Sequence, residues 1–230
     1  MLKKLELGEK EHLLLKKYCK KKNIIFLSSC FSIPSFNFLH RIGLKTIKIP
    51  SGEINNVPFL EHVAKYKKKI IMSSGMSSLL EVGNAIKILL KGGTPKKNLT
   101  ILHCTTEYPA PLNHINLKAM NTIKNKFGVE VGYSDHSLGN IVPVAAAALG
   151  ASVIEKHFTL NKKSKGPDHK ASLSPYELKD MVQKIKKTEM VLGKSIKKPS
   201  KVELKNIKVV RKSIVAAKEI KKGEIFSKEN

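Results

Sequence analysis

Two histidines, His136 and His157, end short apolar runs, VEVGYSDHS (129–137) and ASVIEKHFT (151–159). Two neutral imidazoles that converge can hold one divalent metal ion, with oxygen ligands completing its shell. An alanine-rich stretch long enough for one helix separates the runs. In a chain that alternates strand and helix, this spacing sets both rings at the same end of neighbouring parallel strands, where such folds carry their chemistry. Alternation along ASVIEKH places Val153, Glu155 and His157 on one face. A carboxylate two residues from a candidate ligand points to function, because an unpaired buried charge is costly. The competing reading is two unrelated core histidines.

Groups able to bind an anion or polarise a carbonyl recur at the other apolar runs. NIIFLSS ends in Ser28 and Ser29, and LKTIKIP carries Lys48 and continues into Ser51-Gly52-Glu53. KIIMSSG ends in Ser73-Ser74-Gly75, and NLTILHC holds His103 and leads to Thr105, Thr106 and Tyr108. VEVGYS supplies Ser134 ahead of His136. Each has a bland counterpart: Ser-Gly pairs cap helices, Lys48 can snorkel to a rim, and His103 can be a hydrogen-bonded core residue. His12, His40, His62 and His114 fall in helices or turns and read as solvated.

Six elements must position these groups. The apolar runs span 23–29, 44–50, 69–75, 98–104, 129–134 and 151–157, each rich in β-branched residues and followed by a helical pattern. Ser78 with Glu81 makes a capping box, and Ser174, Pro175 and Glu177 suit the cap, first and third positions of another helix. Repeated βα units with near-continuous apolar strands imply an α/β fold with a parallel sheet covered by helices. An eight-unit TIM (β/α)8-type barrel is the natural candidate, and about six strands make it incomplete. Residues 1–193 read as the partial barrel and 194–208 as a Lys-rich linker. Residues 209–230 read as the opening hairpin of a second small domain. An open barrel exposes strand edges and apolar interior, which favours self-association.

The 230 residues carry a net charge of +25, yet only Arg41 and Arg211 are arginine. Arginine is the usual reader of bases and phosphates, so this lysine-borne charge argues against a nucleic-acid partner. No apolar stretch reaches transmembrane length, and the charged N-terminus is unlike a signal peptide. Three cysteines without a CxxC pair read as reduced thiols. These features imply a cytoplasmic protein without a membrane partner.

The segments IKIPSGE (47–53), IIMSSGMSS (70–78), HCTTEYPAP (103–111), YSDHSLG (133–139), IEKHFTL (154–160) and GPDHKASL (166–173) complete the picture. In identity, order and spacing they resemble the sialic acid synthase family, which makes N-acetylneuraminate, legionaminate and pseudaminate. The resemblance implies condensation of phosphoenolpyruvate with an N-acetylmannosamine-type sugar to a nine-carbon 2-keto acid and phosphate. It implies a divalent ion (Mn2+, Mg2+ or Co2+) on His136 and His157. Ser29, Lys48, Ser51, Ser74, Gly75 and Ser134 would hold phosphoenolpyruvate, while Glu53, Thr106, Tyr108 and Asp168 would face the sugar. Asp168, Glu53 and Glu155 are the catalytic carboxylates in this reading, with Asp168 and Glu155 as proton handlers.

The family's barrel precedes an antifreeze-like (SAF) domain and forms homodimers, so residues 209–230 would begin that domain. Two strands bearing an acidic residue and a lysine have no counterpart here, which implies a fragment whose own activity is doubtful. Thr106 stands where some members have Asn. His169-Lys170-Ala171-Ser172-Leu173 is closer to the neuraminate and legionaminate branches than to the pseudaminate branch. Another metal-dependent phosphoenolpyruvate-using or aldolase-type barrel enzyme is the alternative, and a basic binding module is the third reading.

Overall fold

The computed structural model describes residues 6–230 and divides into one compact unit through Leu192 and a second from Gly193 to Asn230. The first unit carries five strands, β1 (Thr46–Ile49), β2 (Lys69–Ser73), β3 (Leu99–Cys104), β4 (Glu130–Asp135) and β5 (Ile154–Lys156). They form one sheet, all parallel and ordered as in the sequence. Helices α1 (Glu9–Lys21) and α2 (Ile33–Arg41) precede β1. The crossovers are α3 (Val57–Ala64), α4 (Leu79–Lys91), α5 (Lys118–Phe127) and α6 (Ile141–Ala148), and α7 (Pro175–Leu192) follows β5. The result is an α/β half-barrel.

Period-two alternation divides the strands into two faces. Paired residues Ile49, Met72, Ile101 and Val131 form a fully buried row that joins Phe36, Phe59, Leu60 and Leu89 in the main core. The opposite face carries Lys48, Ser73, Leu102, Cys104, Gly132, Ser134 and Glu155. A side chain at Gly132 would meet the Val153 carbonyl oxygen at 2.3 Å, so β4 and β5 approach this closely only because Gly132 has none. Local signals agree with the packing. Ser78 and Glu81 make a reciprocal capping box on α4, and Ser174 and Glu177 pair likewise at the start of α7.

Two expectations are corrected. Among the described residues five strands form, not six: residues 23–29 make only one bridge, Ser29 with Lys48, although Cys30 N–H also donates to the Lys48 carbonyl. This segment lies at the β1 edge, where ladder partners exist on one side alone. The hairpin expected over 209–230 is also absent among the described residues. The second unit holds one helix, α8 (Leu204–Val210), which begins inside the stretch read as linker and is followed by irregular chain. Ile214, Val215, Ile225 and Phe226 are exposed there, and an isolated two-stranded hairpin without an apolar partner is marginal in water.

Candidate active site

Parallel pairing sets Cys104 beside Ser134 and Ser134 beside Glu155, at the carboxyl ends of β3, β4 and β5. His136 and His157 follow on the same alternation. Their rings lie 5.5 Å apart, centroid to centroid, and nearly perpendicular. His136 Nδ1–H donates to the Thr105 carbonyl at 2.6 Å, which leaves the Nε2 lone pair for a ligand. Burial pushes the His136 pKa below the usual histidine value, with the Thr105 hydrogen bond opposing it and His157 adding to it. A neutral imidazole is the metal-binding form.

Tyr108 stacks on His136 at 4.1 Å between centroids and meets His157 edge-on at 5.3 Å. The main-chain hydrogen bond from Ala110 N–H to the His136 carbonyl, 3.0 Å, ties this loop to β4. Asp168 stands 3.8 Å from His157 Nδ1. Its backbone is left-handed, φ +65°, a conformation that aspartate tolerates better than most residues.

Lys48 is buried and donates to Ser73 Oγ at 2.8 Å, with Glu155 at 3.5 Å. Ser134 Oγ donates to Glu155 Oε1 at 2.8 Å and lies 3.5 Å from His136 Nε2. Lys48, Glu155 and Ser134 thus form one polar chain that ends beside the His136 ring. Beside it, Ser51 Oγ accepts from Gly75 N–H at 3.0 Å and sits 3.3 Å from Cys104 Sγ. A Cβ on Gly75 would lie 2.7 Å from Thr106 Oγ1, 2.8 Å from Cys104 Sγ and 2.9 Å from Ser51 Oγ, so three polar side chains close on bare backbone. Burial raises the Cys104 pKa and keeps it a thiol.

The structure therefore gathers Lys48, Ser51, Gly75, Thr106, Tyr108, Ser134, Glu155, His136, His157 and Asp168. Three others make their own contacts around it. Ser29 is exposed at the β1 edge beside Lys48. Ser74 Oγ donates to the Leu102 carbonyl at 3.0 Å. Glu53 accepts from Asn56 Nδ2 at 2.6 Å, next to the α3 cap. Ser73 is legible in the sequence only as one of three anion-binding candidates at its strand end, and Cys104 only as a reduced thiol. The partner of Ser73 is Lys48 and that of Cys104 is Ser51. His103 faces the helices instead and donates to the Ile115 carbonyl at 2.8 Å.

Among the described residues no three His, Cys, Asp or Glu side chains form a metal-holding group. The donor set fits a metal bound by two imidazoles and completed by substrate or water oxygens, as in open catalytic sites.

A half-barrel with a cation, carboxylates and paired imidazoles at its strand ends has the design of a TIM-barrel enzyme. A model of the NeuB family matches residues 1–197, and the chain belongs to that family. It is 55% identical over 230 residues to the N,N'-diacetyllegionaminic acid synthase of Campylobacter jejuni, spanning all of this chain and 69% of that protein. It is 47% identical to the Legionella pneumophila enzyme of the same name, of which it spans 65%. The crystal structure of N-acetylneuraminic acid synthetase from Leptospira borgpetersenii, in complex with citrate, superposes with a TM-score of 0.83 at 37% identity. The match covers 89% of this chain and 70% of that one.

Proposed function

We propose that the chain carries the barrel site of a nonulosonic acid synthase. That site joins phosphoenolpyruvate to the aldehyde of a manno-configured 2-acetamido sugar. The observation behind this reading is the cluster at the strand ends, with Lys48, Glu155 and Ser134 in one polar chain and the His136 and His157 rings packed beside it. Lys48 and the hydroxyls of Ser51 and Ser134 bind the phosphate and carboxylate of phosphoenolpyruvate, with the bare Gly75 backbone beside them. A divalent ion held by His136 and His157 would supply Lewis acidity toward the sugar aldehyde.

C3 of the enol ester then forms the new bond to the aldehyde carbon, and the former carbonyl oxygen takes up a proton. Water adds at C2 and the C2–oxygen bond to phosphate breaks, giving the 2-keto acid and inorganic phosphate. Asp168 beside His157 and Glu155 beside Lys48 are placed to move these protons. The likeness to two legionaminic acid synthases, with Thr106 at the sugar end, favours a 2,4-diacetamido-6-deoxy sugar over plain N-acetylmannosamine. The setting is cytoplasmic, and the working enzyme is a homodimer.

The test is a chimera in which residues 1–230 replace the matching stretch of the Campylobacter relative. Phosphate release should require both phosphoenolpyruvate and the manno sugar, and the diacetamido sugar should have the higher kcat/KM. A folded chimera that releases no phosphate, or prefers the altro-configured sugar, contradicts the reading.

A further inference from the structure

Directly behind the two histidines lies a buried ion pair that the proposed chemistry does not use. Asp135 precedes His136 and Lys156 precedes His157. The parallel register sets Asp135 opposite Lys156 on the helix-facing side of the sheet. Lys156 Nζ donates to Asp135 Oδ2 and to the Ser137 carbonyl. The other carboxylate oxygen, Asp135 Oδ1, accepts from Ser137 N–H at 2.9 Å. The side chains of Lys156 and Asp135 are 2% and 0% exposed.

We propose that Asp135 and Lys156 are positioning residues that set the distance between His136 and His157 for a shared divalent ion. The inference rests on the metal-site reading above. The pair grips the main chain on both sides of His136, at 135 and 137, and fastens it to the residue before His157. With the His136 ring held by Thr105, neither its backbone nor its imidazole can shift without breaking a buried polar contact. β5 is only three residues long, and three ladder pairs alone give its end little rigidity. Stability is a poor reason to keep such a pair, because apolar residues of similar volume often replace a buried ion pair without loss. Geometry is the better reason, since groups behind metal-binding histidines fix the orientation of the ligands.

The test uses the 230-residue protein and Mn2+ titrated by calorimetry, with the thermal midpoint recorded in parallel. The double variant Asp135→Leu/Lys156→Met should stay folded with a lowered midpoint, because the buried Ser137 N–H and carbonyl lose their partners. It should bind Mn2+ about 10–100-fold more weakly, the usual effect of losing such support. Asp135→Asn keeps the acceptor for Ser137 N–H and should lose part of that affinity, which serves if the double variant does not fold. Wild-type Mn2+ affinity in either folded variant overturns the positioning role. A folded wild-type protein that binds no Mn2+ overturns the metal site itself, a separate and recognisable result.

Discussion

The two edges of the sheet make opposite use of one design. At the β5 edge, strand ends carry buried polar groups joined by hydrogen bonds and ion pairs: Ser134 to Glu155, Lys156 to Asp135, His136 to Thr105. At the β1 edge, residues 23–29 make one bridge and leave Ile24 64% and Ile25 87% exposed. Both stretches are short, β-branched apolar runs. Reciprocal side-chain pairing separates them, and chemistry collects where backbone register is enforced by side chains.

The largest effect that would break this contrast lies at the histidines. His157→Ala in the Campylobacter chimera should cut condensation by about 10³-fold, or about 4 kcal/mol of barrier, while circular dichroism stays unchanged. Activity close to wild type would remove His157 from the mechanism. Gly75→Ala comes next, since its Cβ must displace Thr106, Cys104 or Ser51. A misplacement of that size should lower kcat/KM by about 10²-fold with the thermal midpoint little changed. An unaffected kcat/KM would mean that the cradle of backbone and hydroxyls holds no substrate.

At the other edge, exposed apolar residues beside β1 invite pairing with a second copy. Replacing Ile24 and Ile25 with lysine should shift sedimentation of the chain toward monomer and leave Mn2+ binding alone. Unchanged association would place the self-pairing surface elsewhere.

The smallest effect is a slope with pH. Burial holds His103 below the ordinary histidine pKa of 6.5, so the unfolded chain binds the proton more readily than the folded one. Stability is then full above pH 6.5 and falls as pH drops through that value, by at most about 1.4 kcal/mol per pH unit. Chemical denaturation of wild type and His103→Gln at several pH values should show a shallower slope in the variant. Equal slopes would mean that His103 ionises freely in place.

Much of the contrast is legible in the residues alone. The spacing of YSDHSLG and IEKHFTL sets two imidazoles at neighbouring strand ends, and capping residues mark α4 and α7. What escapes is pairwise. Ser73 rather than Ser74 meets Lys48, because the phase of KIIMSSG is settled only when Met72 pairs between Ile49 and Ile101. Asp135 and Lys156 are 21 residues apart and meet through parallel register alone. Residues 23–29 look like any other strand in composition, and their single bridge reflects the neighbours at hand.

The most direct measurement is a crystal structure with Mn2+ and phosphoenolpyruvate, using anomalous scattering to locate the ion. One ion should touch both His136 and His157, with the anionic groups of phosphoenolpyruvate on Lys48. An ion bound elsewhere, or none at saturating Mn2+, would contradict the two-histidine site.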